Sequence, residues 1–234
     1  MKQALYSLLV ISCLALVLWA NNPVITNARA EAGAAVVASV DPAVMPRQCQ
    51  PGKTSPQALG WRWKPGALVR VYYLKDSFNR AQSEALSRAV NNWNNALREI
   101  DSHIVFIVGG ERESVVKDDA SLTVMRGIPT KTERLAEIKF YSSSSGVVRM
   151  MMTIRPVVTD PSALTSLMTH ELGHSLGLAD CYECRRGTTA MSAFKDDNKG
   201  NNVYEPSACD KYVVAAGYAS LTGAQARVAS TEGK

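Results

Sequence analysis

One stretch constrains this chain more than any other: His170-Glu171-Leu172-Gly173-His174-Ser175-Leu176-Gly177-Leu178-Ala179-Asp180. Helical positions four apart lie one above the other on one face, so His170 and His174 can direct two imidazoles at one metal ion. Glu171 follows the first His and is placed to act as general base toward a water at that metal. Gly177 comes three residues after His174, where a helix must stop if the chain is to turn back. Glycine tolerates the left-handed backbone of such a stop. Three residues further, Asp180 offers a hard oxygen ligand. The predicted ligand set is therefore His170, His174 and Asp180, with a fourth zinc position left open as a catalytic site requires. A Glu from a later helix is the rival third ligand, and Glu205 is the candidate. The early break at Gly177 favours Asp180.

The residues before the motif suit a buried helix. Asp160 can cap the free amides, and Pro161 fits the first turn. Leu164, Met168, Leu172 and Leu176 form one stripe at spacing four, with the two His on roughly the opposite side.

The pattern H-E-x-x-H-x-x-G-x-x-D resembles the metzincin zinc peptidases, whose usual third ligand is His. The Asp form is similar to the branch typified by the snapalysins. Thr189-Ala190-Met191-Ser192 resembles the Met-turn of that group, with Met191 eleven residues after Asp180. The resemblance covers roughly residues 61–218, and its specific motifs lie within 160–192. It implies an α+β catalytic domain: a twisted, mixed five-stranded sheet, three main helices, and a zinc cleft between N- and C-terminal subdomains. It implies that residues 137–142 are an antiparallel edge strand that pairs with an extended substrate, a backbone mode that gives affinity without much sequence choice. It further implies one catalytic zinc ion, endopeptidase activity on polypeptides with Glu171 as catalytic base, and Met191 as a floor under the metal. Some members carry a Tyr two residues after that Met; here Ala193 stands there. An anionic third ligand predicts weaker Lewis acidity than three imidazoles give. No sequence feature supports a structural calcium site. The other readings are a zinc-binding but catalytically silent secreted module, and a chance match on a core helix.

The N-terminus reads as an export leader. Lys2 precedes an apolar run from Ala4 to Ala20, and cleavage after Ala20 or Ala30 is expected; the alternative is an uncleaved membrane anchor. Cys13 lies inside that run, which continues past it, so it does not read as a lipid-attachment Cys. Beyond the leader stand Cys49, Cys181, Cys184 and Cys209, an even count that suggests two disulfides in an exported chain, with three possible pairings. The expected arrangement joins Cys181 or Cys184 to Cys209, clamping the zinc loop to the C-terminal helix, and the other of the two to Cys49. Pro46-Arg47-Gln48-Cys49 loosely resembles the matrixin cysteine switch, but an extra Gln separates Arg from Cys, and a structural Cys49 is the better reading. Cys181-x-x-Cys184 alone is too few ligands for a structural zinc site.

A net charge of +5 without a run of Lys and Arg gives no support to nucleic-acid binding. Nothing signals an oligomer, so a monomer is expected, secreted or periplasmic. The domain reading is residues 1–30 leader, 31–60 linker, short propeptide or N-terminal arm, 61–218 zinc peptidase domain, and 219–234 flexible tail. Along that domain, Leu68 to Leu74 reads as a strand and Asn79 to Ile100 as a helix with Leu86, Ala89, Val90, Trp93 and Leu97 on its buried face. His103 reads as a surface or outer residue. Ile104 to Val108, ended by Gly109-Gly110, reads as a buried strand. Ser121 to Arg126, Ile138 to Tyr141 and Val147 to Ile154 read as further strands, with Met150-Met151-Met152 as sheet packing. Residues 195–203 read as a loop, and Ser207 with Asp210 as the capping box of a last helix.

Overall fold

The apolar period changes along the chain, and the elements follow it. A computed structural model describes residues 47–59, 61–143, 146–193 and 202–218, all within the unit Ala38–Lys234. The expected leader and tail, and most of the loop 195–203, lie outside the described residues.

Strand β1 (Leu68–Leu74) buries Val69, Val71 and Tyr73. Helix α1 (Arg80–Glu99) starts at a reciprocal cap. The Gln82 N–H donates to Asn79 Oδ1 at 3.0 Å, and the Asn79 N–H donates to Gln82 Oε1 at 3.2 Å, which satisfies amides that the first turn leaves free. Its buried face is Ala85, Leu86, Ala89, Val90, Trp93, Ala96 and Leu97, the predicted face widened by two alanines. Strand β3 (Ser121–Arg126) has the predicted bounds, and β4 (Ala136–Ser143) and β5 (Gly146–Ile154) form the hairpin. Met150 and Met152 pack into the core, as the period of two requires.

Strand β2 (Val105–Arg112) corrects the reading of a buried strand. Phe106 is buried within it, whereas Val105, Ile107 and Val108 are 40–42% exposed. An unbroken apolar run does not tell a covered strand from an edge strand; only the tertiary cover decides. The strand also continues through Gly109 and Gly110. The β1–β2 register shifts between Val71 and Tyr72, Gly110 takes φ +78°, and a Cβ at Gly109 would collide with the Tyr72 ring. Both glycines therefore serve a bulge inside the strand rather than its end.

The sheet order is β2-β1-β3-β5-β4. All neighbours are parallel except β4, which runs antiparallel to β5 at the edge. With α2 (Pro161–Ser175) and α3 (residues 208–218), the described residues make a mixed five-stranded sheet with three helices, an α+β fold. Helices α1 and α2 pack on each other and share one core with the sheet. The Trp93 indole N–H donates to the Thr169 carbonyl at 2.7 Å, and the Thr165 hydroxyl to the Ala85 carbonyl at 3.0 Å. No helix among the described residues is long and apolar enough to cross a membrane.

Candidate metal centre

Helix α2 carries the motif through the middle of the protein. Asp160 caps it, accepting from the Ala163 N–H at 2.7 Å, and Pro161 opens it. Leu164, Met168 and Leu172 are fully buried, and so are residues on the other faces, including His170 and Glu171 at 7% and 5% exposure. The helix stops where glycine allows. Gly177 has φ +89°; its N–H donates to the His174 carbonyl at 3.0 Å, and the Leu178 N–H to the Gly173 carbonyl at 3.0 Å. These two bonds are the Schellman closure of a helix C-terminus. They reverse the chain and bring Asp180 back over the helix.

The result is convergence. Asp180 Oδ1 lies 3.1 Å from His170 Nε2 and 3.3 Å from His174 Nε2. The three ligand atoms all fall within 4.8 Å of one another, so this group could hold a metal ion. The two rings stand edge to face, 4.7 Å apart at 87°. Each imidazole is oriented from behind: His170 Nδ1 is 2.8 Å from the Ala190 carbonyl, and His174 Nδ1 is 2.8 Å from the Leu178 carbonyl. A carbonyl only accepts, so each Nδ1 donates its hydrogen, which leaves Nε2 as the atom through which each neutral imidazole could ligate a metal. This donor set fits zinc: two imidazole nitrogens and one carboxylate oxygen.

The three groups shift one another's titration. Burial pushes Asp180 up, but hydrogen bonds and charge from His170 and His174 hold it well below the usual carboxylate range. Burial pushes His174 down, but the hydrogen bond it donates to Asp180 and the charges of Glu171 and Asp180 raise it to about 9. A metal-free site thus keeps a proton where a metal would bind.

Met191 lies fully buried behind the helix, and its turn is held on several sides. A Cβ at position 173 would collide with Met191 Sδ, which explains the glycine inside the motif. The Met191 N–H donates to Thr189 Oγ1 at 2.8 Å. The Cys181 N–H donates to the Met191 carbonyl at 2.8 Å, and the Ala193 N–H to the Cys181 carbonyl at 3.1 Å. The turn at Met191 is therefore joined by a short backbone ladder to Cys181, the residue after Asp180.

The cysteines correct the expected pairing. Cys49 bridges Cys209 and Cys181 bridges Cys184, so neither Cys181 nor Cys184 reaches Cys209. The ladder between Cys181 and the Met-turn turns the chain so that Cys184 folds back on Cys181, and Cys209 is left for the arm. Cys49 has no thiolate to offer a metal. The two bridges suggest an extracellular or otherwise oxidising compartment. Glu205 is exposed and is not part of the ligand group. His103 is exposed at φ +58° and pairs with Asp101 at 3.5 Å.

Two contributors were not legible beforehand. Asp210 forms the predicted capping box with Ser207, at 2.8 and 3.1 Å, yet the same Oδ2 also accepts from the Ala190 N–H at 2.8 Å. It thus supports the turn whose carbonyl orients His170, and its burial raises its carboxyl. Tyr182 donates its hydroxyl to Asp180 Oδ2 at 3.1 Å, engaging the oxygen that faces away from the imidazoles. Its position two residues after Asp180 was the only available signal.

No protein-family model matches this chain, and no curated protein sequence does. A solved structure that matches is the crystal structure of metalloproteinase-II from Bacteroides fragilis, at 13% identity and a TM-score of 0.41, over 71% of this chain. The chain spans 57% of the length of that structure.

Proposed function

We propose that the protein is a secreted zinc endopeptidase of the metzincin type, close to the snapalysin pattern, acting on extended polypeptides. One observation carries the reading: two anchored imidazoles and one carboxylate converge within 4.8 Å, and the motif places Glu171 beside them. His170, His174 and Asp180 would hold the ion. Bound zinc supplies Lewis acidity and brings the pKa of a water from ~15.7 toward ~7. Glu171 then takes the proton of the attacking water on its carboxylate and passes it to the leaving amine. Its burial keeps that carboxylate out of bulk solvent, where the transfer is most effective. Ala193 offers no hydroxyl, so no residue at that position assists. Among the described residues, the antiparallel edge strand β4 has a sheet neighbour on one side only, which suits an added substrate strand.

The test compares the chain with its Glu171→Gln twin on an unfolded protein substrate, with bound zinc measured in both. Cleavage by the twin should fall at least ~100-fold while its zinc content stays the same. Equal cleavage by the two refutes the role of Glu171. Two zinc-loaded but inactive proteins would point to a silent zinc module.

A further inference from the structure

The stretch before Trp63 reads from composition as a linker, a propeptide or an arm, and these make opposite claims about the metal site. A blocking propeptide needs a group to place in the open zinc position. Residues 50–63 contain no His, Cys, Asp or Glu, and Cys49 is tied up in a bridge to Cys209 of α3. What the segment does instead is pack on the loop that carries the third ligand. Ala58 pairs antiparallel with Leu178. The Leu59 N–H donates to the Gly177 carbonyl at 2.6 Å, and the Ala179 N–H donates to the Gln57 carbonyl at 2.8 Å. These bonds flank Leu178, whose carbonyl orients His174, and they end next to Asp180.

Trp61 extends the same support to two further places. Its indole N–H donates to the His174 carbonyl at 3.1 Å, and its ring stacks on Phe140 of β4 at 4.3 Å. It links the end of the metal helix to the edge strand. The fit is close: a Cβ at Gly177 would come within 2.5 Å of the Trp61 carbonyl oxygen. Beyond it, the Val147 N–H donates to the Arg62 carbonyl at 2.9 Å, and the Trp63 N–H to the Tyr218 hydroxyl of α3 at 3.3 Å. The segment is thus fixed at Cys49, at the third-ligand loop and at Trp63.

We infer that the segment beginning at Cys49, through residues 55–59 and Trp61, is a built-in strut that positions the third-ligand loop, and that any activating cut falls upstream of Cys49. The inference rests on the zinc peptidase reading above. Trp61 and the backbone of residues 57–59 act through Leu178 and His174, so they are positioning groups. Loss of an outer partner of a metal ligand typically weakens metal binding 10- to 100-fold.

The experiment titrates zinc against a competing chromophoric chelator in the full chain and two variants. Trp61→Phe keeps an aromatic ring for Phe140 and loses the N–H. Leu59→Pro loses the N–H given to Gly177 and leaves Trp61 in place. Each should bind zinc about tenfold more weakly, at the low end of that range because neither touches a ligand directly. Each should also regain cleavage when zinc is saturating, a recovery that a folding defect would not show. Zinc affinities within twofold of the parent in both variants would overturn the strut. So would cleavage above the parent at saturating zinc, the signature of a released inhibitor. A parent that takes up no zinc would sink the peptidase reading itself, and the strut with it.

Discussion

On the zinc reading proposed above, the ion and a proton compete for the same place between His174 and Asp180. In the metal-free protein His174 is raised from 6.5 to about 9. A raised folded-state pKa stabilises the fold fully below the unfolded value, about 6.5, and that contribution is lost as pH rises through about 9. At ~1.36 kcal/mol per pH unit, the gap is worth about 3 kcal/mol. The perturbation is Asp180→Asn, which keeps the shape and an oxygen while removing the charge that holds the proton. Burial then acts on His174 with only the charge of Glu171 and the hydrogen bond to the Leu178 carbonyl opposing it. At about pH 7.5 the parent must release close to one proton from His174 to take up zinc, and the variant far less. Calorimetric zinc titrations in buffers of different ionisation enthalpy count those protons. The diagnostic quantity is the difference between parent and variant, close to one. The same exchange weakens zinc binding by the parent about tenfold for each pH unit below about 9. Equal proton release in the two proteins, or zinc affinity independent of pH from about 6 to 8, would refute the reasoning.

Two further predictions concern the support behind the site. Gly173→Ala drives a methyl into Met191 Sδ, with Trp93 3.3 Å from the added carbon, so the fully buried Met191 side chain has to shift. Overpacking costs about 1–3 kcal/mol and better helix propensity returns about 1 kcal/mol, so denaturant unfolding should show a net loss of up to about 2 kcal/mol; a midpoint above the parent's would contradict the packing. Asp210→Ala leaves the buried N–H of Ala190 and the half-buried N–H of Ser207 without their acceptor, at about 1–3 kcal/mol for the first and less for the second. Urea unfolding of the metal-free chain should register about 1–4 kcal/mol, and a loss below about 1 kcal/mol would show that water replaces the carboxylate.

The order of elements, the caps of α2 and α3, and the grouping of His170, His174 and Asp180 were legible in the sequence for one physical reason. Each depends on residues close together along the chain: a side chain reaching an amide three positions on, a helix repeat of four, a glycine where the backbone must reverse. Even Asp180 lies only six residues from His174, and the Gly177 turn leaves it few places to go. What the tertiary structure alone decided involves partners far apart in sequence. Cys49 chose Cys209 across 160 residues, which a count of cysteines cannot rank against the alternatives. Val105, Ile107 and Val108 are exposed because β2 ended up at an edge, although the same residues in a covered strand would be core. Asp210 reads as a helix cap, and only the approach of the turn at Ala190 and Met191 gave its carboxylate a second amide. The carbonyls of Ala190 and Leu178 that hold the imidazoles are backbone atoms present at every position. No side-chain pattern could mark them, because their role comes from where the folded chain puts them.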